Sequence, residues 1–211
     1  MFNQFIAITT RVFSVIGNSL RNSNLFKNSK KGEHVKLYSK FTIINSIINN
    51  YSYISANSNI RNTEIGKFCS IGPNFMCGLA IHPIDGISTS PFFYSTKKQC
   101  GVTISEVNKI KEFGEVKIGN DVFIGANVTI STNLTIGNGV VIAAGSVVVK
   151  DIPDYAIVGG VPARIIKYRY SEEIIEQLLK LQWWDFSPDK LQLVEKNFFN
   201  INEFLKSSKL L

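Results

Sequence analysis

The sequence has few histidines and cysteines, on which metal sites and disulfide frameworks depend, and it lacks the long apolar run of a membrane span. It contains two histidines and three cysteines, and it has no run of about 18 apolar residues that could span a membrane as a helix. The odd set Cys69, Cys77 and Cys100 lacks the spacing of a metal site, which predicts reduced thiols in a cytoplasmic protein. Charged residues make up 18% and apolar residues 45% of 211 residues, a balance typical of one principal globular domain.

The first twenty residues lack the basic start and the unbroken apolar block of a secretory signal. Their apolar residues partly fit one face of a helix. We therefore expect segment 1–36 to be helical and to pack on the domain, on a neighbouring subunit or over one end of the fold. A helix lying in a membrane interface is the second interpretation.

The net charge of +7 allows a nucleic acid, an anionic membrane or a phosphorylated small molecule as partner. The basic residues do not form one stripe, and aromatic residues are not interleaved with them as stacking platforms. The pattern therefore favours a phosphorylated small molecule and no nucleic acid.

A repeat of six residues runs from Val116 onward, as VKIGND VFIGAN VTISTN LTIGNG VVIAAG SVVV. The aliphatic residues six apart are Ile118, Ile124, Ile130, Ile136, Ile142 and Val148. An earlier tract repeats the pattern at Ile48, Ile54 and Ile60 and then, after a slip of one residue, at Ile65, Ile71 and Cys77. Short strands with a corner every six residues predict a mainly β, three-sided coil that stacks as a parallel β-helix around an aliphatic column. Cys69 and Cys77 then become small core residues.

Four segments in this order resemble the hexapeptide-repeat acyltransferases: "NTEIGKFCSIGPN" (62–74), "HPIDGISTSPFFY" (82–94), "VVVKDIPDYAIVGGVPARII" (147–166) and "SEEIIEQLLKLQWWDFS" (171–187). Within that family the chain is most similar to the xenobiotic acetyltransferases, which include the CatB-related enzymes, and to the saccharide O-acetyltransferases. The resemblance implies a left-handed β-helix over 37–166, an active-site loop over 78–114 and C-terminal helices over 167–211. It also implies acetyl-CoA as co-substrate and a homotrimer with sites at the subunit interfaces.

His82 lies in the long insert that interrupts the repeat, where irregular segments are usually functional. An imidazole can exchange a proton near neutral pH, although a lone loop histidine is more often structural. The resemblance places His82 at the position of the family's catalytic general base. It would take the proton of the acceptor as the acceptor attacks the thioester, in direct transfer without an acyl-enzyme. Asp85 is a candidate for orienting the imidazole, or a turn residue.

The same loop supplies candidates for the acceptor site. Ser88, Thr89 and Tyr94 could bond acceptor hydroxyls, and Phe92 and Phe93 could pack on a sugar ring or simply anchor the loop. Phe123 stands where many relatives carry Trp, so the shape of the acceptor pocket is expected to differ here.

The donor site is expected at the small residues near the end of the repeat. Tiny residues allow backbone groups to approach a pantetheine arm, and cations suit the phosphates of coenzyme A. The candidates are Gly125, Ala143, Ala144, Gly145, Lys150, Gly160, Arg164 and Lys167. Turn geometry and a solvated surface are the alternative explanations for these residues taken one at a time.

After Ile166 the pattern predicts helices, with Ser171 and then Ser187-Pro188 at their starts, that cap the solenoid. We predict no metal, because the zinc enzymes of this fold use three histidines and this chain has two.

Three functions stay open on the sequence. The first is acetyl transfer to a saccharide in surface polysaccharide biosynthesis, either to a sugar hydroxyl or to the amine of a nucleotide-linked amino sugar. The second is O-acetylation of an antibiotic of the chloramphenicol or streptogramin type. The third is a binding or scaffold solenoid without catalysis, in which His82 is structural.

Overall fold

A computed structural model describes residues 24–208 and shows a parallel β-helix of three faces. The first face holds β1 (Leu25–Lys27), β4 (Phe41–Ile44), β7 (Ser58–Arg61), β10 (Met76–Cys77), β13 (Thr129–Ile130) and β16 (Val147–Val148). The second holds β2 (Lys30–Lys31), β5 (Ile47–Ile48), β8 (Thr63–Ile65), β11 (Val116–Ile118) and β14 (Leu134–Ile136). The third holds β3 (Lys36–Leu37), β6 (Tyr53–Ile54), β9 (Ser70–Ile71), β12 (Phe123–Ile124), β15 (Val141–Ile142), β17 (Ala156–Gly160) and β18 (Ala163–Tyr168).

The predicted inward positions form the core. The aliphatic residues of both repeat tracts, from Ile48 to Val148, are buried in one continuous cluster. On the third face Ile124 pairs with Ile71 on one side and with Ile142 on the other, and all three are fully buried. The mainly β solenoid fold expected from the repeat is confirmed.

The solenoid begins earlier than the expected boundary at residue 37. β1 and β2 lie inside segment 1–36 and pair in parallel with β4 and β5. The predicted N-terminal helix falls mainly on residues 1–23, which lie outside the described residues.

The slip of one residue in the early tract is a spacing of five residues, instead of six, between inward positions. It recurs at the same corner of successive coils. Ile43 is five residues before Ile48, and Ile60 is five residues before Ile65. Asn45 and Asn62 turn this corner with φ values of 50° and 47°, and the Asn45 side-chain amide donates to Asn62 Oδ1 at 3.1 Å. Asparagine tolerates positive φ, which suits it to this corner.

Three helices follow the last strand: α1 (Glu172–Leu181), α2 (Pro188–Lys196) and α3 (Ile201–Ser208). Ser171 and Ser187 precede α1 and α2 at the predicted positions, but neither side chain makes a capping hydrogen bond. The helices reach a corner of earlier coils as well as the end, because Lys67 pairs with Asp185 at 2.8 Å and the Trp183 ring lies 5.3 Å from the Phe68 ring. Within residues 24–208, no helix combines the length and the apolar character that crossing a bilayer requires.

The two inward cysteines are expected to be chemically inert. Cys69 and Cys77 are buried and Cys100 is exposed. Burial in the apolar core raises the pKa of the Cys69 thiol and of the Cys77 thiol to about 12, and only a thiolate is a good nucleophile.

We therefore expect a disulfide reagent at pH 8 to modify one thiol of the folded protein and all three after unfolding in guanidinium. Cys100→Ser should leave no reactive thiol in the folded state. Fast modification of two or more native thiols would contradict the buried positions.

Candidate active site

The long insert leaves the solenoid after β10 and returns at β11, so it crosses the corner between the first and second faces. Gly78 begins it with a φ of 74°, and an added Cβ would collide with the carbonyl oxygen of Arg61. Only glycine fits this exit without strain. The insert holds one short 3-10 helix at Pro91–Phe93, with Ser90 as its capping residue.

His82 is held through one ring nitrogen. Its Nδ1 lies 2.9 Å from the carbonyl oxygen of Thr89 and 2.9 Å from the hydroxyl oxygen of Tyr94. A carbonyl oxygen can only accept a hydrogen bond, so Nδ1 carries the proton that it donates to Thr89. The other nitrogen, Nε2, keeps its lone pair in the neutral ring, and His82 is exposed to solvent. This tautomer suits a general base.

Tyr94 contacts the histidine rather than open solvent, which differs from the acceptor-binding role expected from the sequence. The residue is 4% exposed, and its ring meets the imidazole edge to face with centroids 6.2 Å apart. Burial raises the pKa of the Tyr94 phenol, and the negative charge of Glu112 adds to the effect. The phenol is therefore neutral at physiological pH and can share the Nδ1 proton as an acceptor.

Of the remaining loop candidates, some make hydrogen bonds within the loop and others are exposed to solvent. The Ser88 hydroxyl accepts from the Ser90 backbone amide at 3.1 Å, and the Phe92 carbonyl accepts from the Thr103 hydroxyl at 2.8 Å. Phe93 is 46% exposed and is free to meet a ligand. Asp85 is also exposed, and the contact that holds the imidazole comes from the main-chain carbonyl of Thr89.

The small residues among the predicted donor candidates lie at one edge of the third face, whereas Lys150 follows β16 of the first face. The Gly125 amide donates to Ile142 and the Ala143 amide to Val158, so these small residues follow one another from coil to coil. An added Cβ on Gly125 would lie 2.5 Å from the Ala144 nitrogen, and one on Gly145 would meet nothing within 4 Å. The next coil therefore covers Gly125, and the exposed small residues Ala144 and Gly145 form an open edge, which we name the donor groove.

The segment "GGVPAR" forms a hairpin beside this groove. β17 and β18 are antiparallel, Gly160 faces Ala163 at the turn with a φ of 99°, and Arg164 faces Gly159. Arg164, Lys167 and Lys150 are all exposed. These residues lie in the last coil and in the hairpin that follows it, and the sequence pattern did not show that the chain reverses there.

Phe123 lies on the outer surface of the third face, 48% exposed, between Ser70 and Val141. Phe123 therefore lies on the same face as the donor groove, and it is not part of the loop that holds His82. The loop and the groove therefore occupy different corners of the solenoid. Among residues 24–208, no cluster of three His, Cys, Asp or Glu side chains could hold a metal ion.

Comparison with known proteins places the repeat and its surroundings among acetyltransferases. The family model "Bacterial transferase hexapeptide (six repeats)" matches residues 115–150. A chloramphenicol acetyltransferase of Morganella morganii is 38% identical over 148 residues, which cover 66% of this chain and 70% of that protein. A virginiamycin A acetyltransferase of Staphylococcus aureus is 46% identical over 153 residues, which cover 70% of this chain and 68% of that protein.

The fold of this chain is also similar to that of a solved acetyltransferase structure. The crystal structure of a hexapeptide-repeat-containing acetyltransferase from Vibrio cholerae superposes with a TM-score of 0.53 at 27% identity. The match covers 66% of this chain and 73% of that one.

Proposed function

We propose that this chain, which belongs to the hexapeptide-repeat acetyltransferase family, transfers the acetyl group of acetyl-CoA directly to a hydroxyl group of a small acceptor, with His82 as general base. The observation that carries the proposal is the hydrogen bond from Nδ1 of His82 to the Thr89 carbonyl. It leaves Nε2 unprotonated on an exposed ring, in a loop that the repeat does not need for its own packing.

The proton moves twice in this mechanism. Nε2 of His82 takes the proton of the acceptor hydroxyl as the acceptor oxygen bonds to the thioester carbonyl carbon. The carbon–sulfur bond then breaks, and the imidazolium returns that proton to the departing thiolate. The Thr89 carbonyl oxygen accepts the hydrogen bond from Nδ1 in both steps. Its dipole therefore stabilises the imidazolium that exists between them. A backbone N–H would hold the developing oxyanion.

The groove on the third face is our proposed site for coenzyme A. Ala144 and Gly145 are exposed there, and their small size would let a pantetheine arm approach the backbone, with Ala143 and the buried Gly125 beside them. The exposed cations of the following hairpin, Arg164 and Lys167, would bind the 3′-phosphate and the pyrophosphate, and the exposed Lys150, which follows β16 on the first face, is a third candidate.

The cations give this donor proposal a direct test. Arg164→Ala combined with Lys167→Ala should weaken coenzyme A binding about 10- to 100-fold, because a hydrogen bond to a charged group is worth about 1.5–3 kcal/mol. Binding of dephospho-coenzyme A should weaken less if these residues hold the 3′-phosphate.

Isothermal titration of both ligands measures the difference. Lys190→Ala, which removes an exposed cation from α2, is the matched control. Equal affinity of the double variant and the control for coenzyme A would remove the hairpin from the donor site.

We also propose a homotrimer in which the loop of one copy meets the groove of the next. The loop exposes Ile84 and Ile87 almost completely, together with Val102, Ile104 and Val107. Exposed apolar clusters of this kind mark interfaces between proteins. A neighbouring copy would cover them and would join two parts of the site that lie on different corners of one chain.

The expected compartment is the cytoplasm. All three cysteines are free thiols, and free thiols persist where the compartment is reducing.

A saccharide is our first candidate for the acceptor. The loop sequence after His82 resembles the saccharide group of the family, and the exposed ring of Phe93 could stack on the C–H face of a sugar. The Nε2 base favours a hydroxyl over an amine, because a free amine needs less help to attack.

The second candidate is a drug hydroxyl, which the names of the two relatives support. Thiol release from acetyl-CoA, measured over a panel of acceptors, separates the two. The panel contains neutral sugars, oligosaccharides, nucleotide-linked amino sugars, chloramphenicol and virginiamycin. Saccharide-dependent release supports the first candidate, and release with the drugs alone would replace it by the second.

A further inference from the structure

Glu112 is a buried charge in the active-site loop to which the mechanism above gives no task. Its side chain is nearly buried, with 6% of the residue exposed. An isolated buried carboxylate is costly, so its partners indicate why it is kept. Ser95 Oγ donates to it at 2.5 Å, Gln99 Nε2 donates at 2.7 Å, and Lys97 Nζ lies 3.3 Å away.

These partners keep the carboxylate ionised. Burial alone would raise the pKa of Glu112, but the bonds from Ser95, Lys97 and Gln99 and the charge of Lys97 bring that pKa below its ordinary value. Glu112 therefore acts as a permanently charged anchor at physiological pH.

Glu112 makes hydrogen bonds to the loop on both sides of His82. The Glu112 backbone carbonyl accepts from the amide of Ile81, the residue just before His82, at 2.9 Å. The Glu112 carboxylate holds Ser95, the residue just after Tyr94, and Tyr94 touches Nδ1 of His82. Two chain segments next to the imidazole, at Ile81 and at Tyr94-Ser95, are thus held by Glu112, and the Thr89 carbonyl makes the third contact.

We propose that Glu112 is a positioning residue for His82, which holds Ile81 and the Tyr94-Ser95 segment so that Nδ1 faces Thr89 and Nε2 faces the acceptor. This inference rests on the proposed role of His82 and extends it to a residue that does not touch the reacting atoms.

The test combines kinetics with imidazole NMR. Glu112→Ala should lower kcat about 10- to 100-fold, the size expected when a catalytic group is displaced by about an ångström, with KM for acetyl-CoA nearly unchanged. Glu112→Gln should lose less, because its amide oxygen still accepts from Ser95 beside Lys97, while its amide nitrogen opposes the Gln99 amide nitrogen. The matched control is Glu106→Gln, an exposed glutamate of the same loop.

NMR reads the tautomer without any substrate. With two histidines in the chain, ¹⁵N spectra give one set of signals for His82 and one for His34 as internal reference. In the wild type we expect His82 to be protonated at Nδ1, and in both Glu112 variants to become a mixture of tautomers, with His34 unchanged.

Loss of kcat together with the mixed tautomer supports the inference, and a change in neither readout, or in only one of them, overturns it. If Glu112→Ala fails to fold by circular dichroism, Glu112→Gln decides by the same criteria. An inactive wild type would defeat the proposed function instead, and the tautomer of His82 in the variants would still decide the role of Glu112.

Discussion

His82→Ala is expected to lower kcat for acetyl transfer to a hydroxyl acceptor by about 10²- to 10⁴-fold, the usual contribution of a general base. The alanine removes Nε2, so the acceptor must attack before it has lost its proton. Coenzyme A binding should change less than about twofold, since a general base contributes to the transition state rather than to ground-state binding. Thiol release measures the first effect and calorimetry the second.

His34→Ala is the matched control, because His34 is the other histidine of the chain and stacks on Tyr51 at a distant corner, with ring centroids 5.2 Å apart. It should keep wild-type turnover. Full activity of His82→Ala would leave His82 without a catalytic role.

Ile124→Ala is expected to lower the free energy of unfolding by about 2–5 kcal/mol, the range found for large-to-small changes in packed cores. Ile124 lies in the middle of the inward column, between Ile71 and Ile142, and no part of it is exposed. Its neighbours belong to stacked strands, so they cannot close the cavity without disturbing the hydrogen bonds between coils.

Guanidinium unfolding followed by circular dichroism gives the change in free energy. Ile124→Val should cost about 0.5–1.5 kcal/mol, and Thr135→Ala, an outward residue of β14, should stay within about 0.5 kcal/mol. A similar cost at Thr135 and Ile124 would contradict the inward and outward assignment of the six-residue repeat.

The repeat made the fold predictable because each coil repeats one local rule. An aliphatic residue at every sixth position marks the inward side of a strand, so the amino-acid pattern alone predicts the buried positions from Ile48 to Val148. The five-residue step at Asn45 and Asn62 was visible only as a slip, because one interruption does not show that it recurs at a corner.

The sequence singled out His82 but did not reveal the contacts that hold its ring. His82 stood out as a rare residue in an insert, but its partner is the main-chain carbonyl of Thr89, which no side-chain pattern encodes. Tyr94 was a candidate for bonding acceptor hydroxyls and is buried against His82, because the loop closes on itself through Ser95 and Glu112. These contacts join residues that a six-residue period does not relate.

The packing of the C-terminal helices shows the same limit. Their starts at Ser171 and Ser187 follow local capping preferences and were predicted. Their place along a corner depends on Lys67 and Phe68, more than a hundred residues earlier, and on the bond from Arg169 to Asp121 at 2.9 Å. Long-range partners of this kind are not encoded in local sequence.

The most direct test of direct transfer with His82 as base is a single-turnover experiment with labelled acetyl-CoA, enzyme in excess and a saccharide acceptor. We expect that label passes from acetyl-CoA to the acceptor at one rate, that the mass of the protein stays unchanged at every quench time, and that His82→Ala slows this single step. An acetylated protein that forms first and then transfers its label to the acceptor would contradict direct transfer.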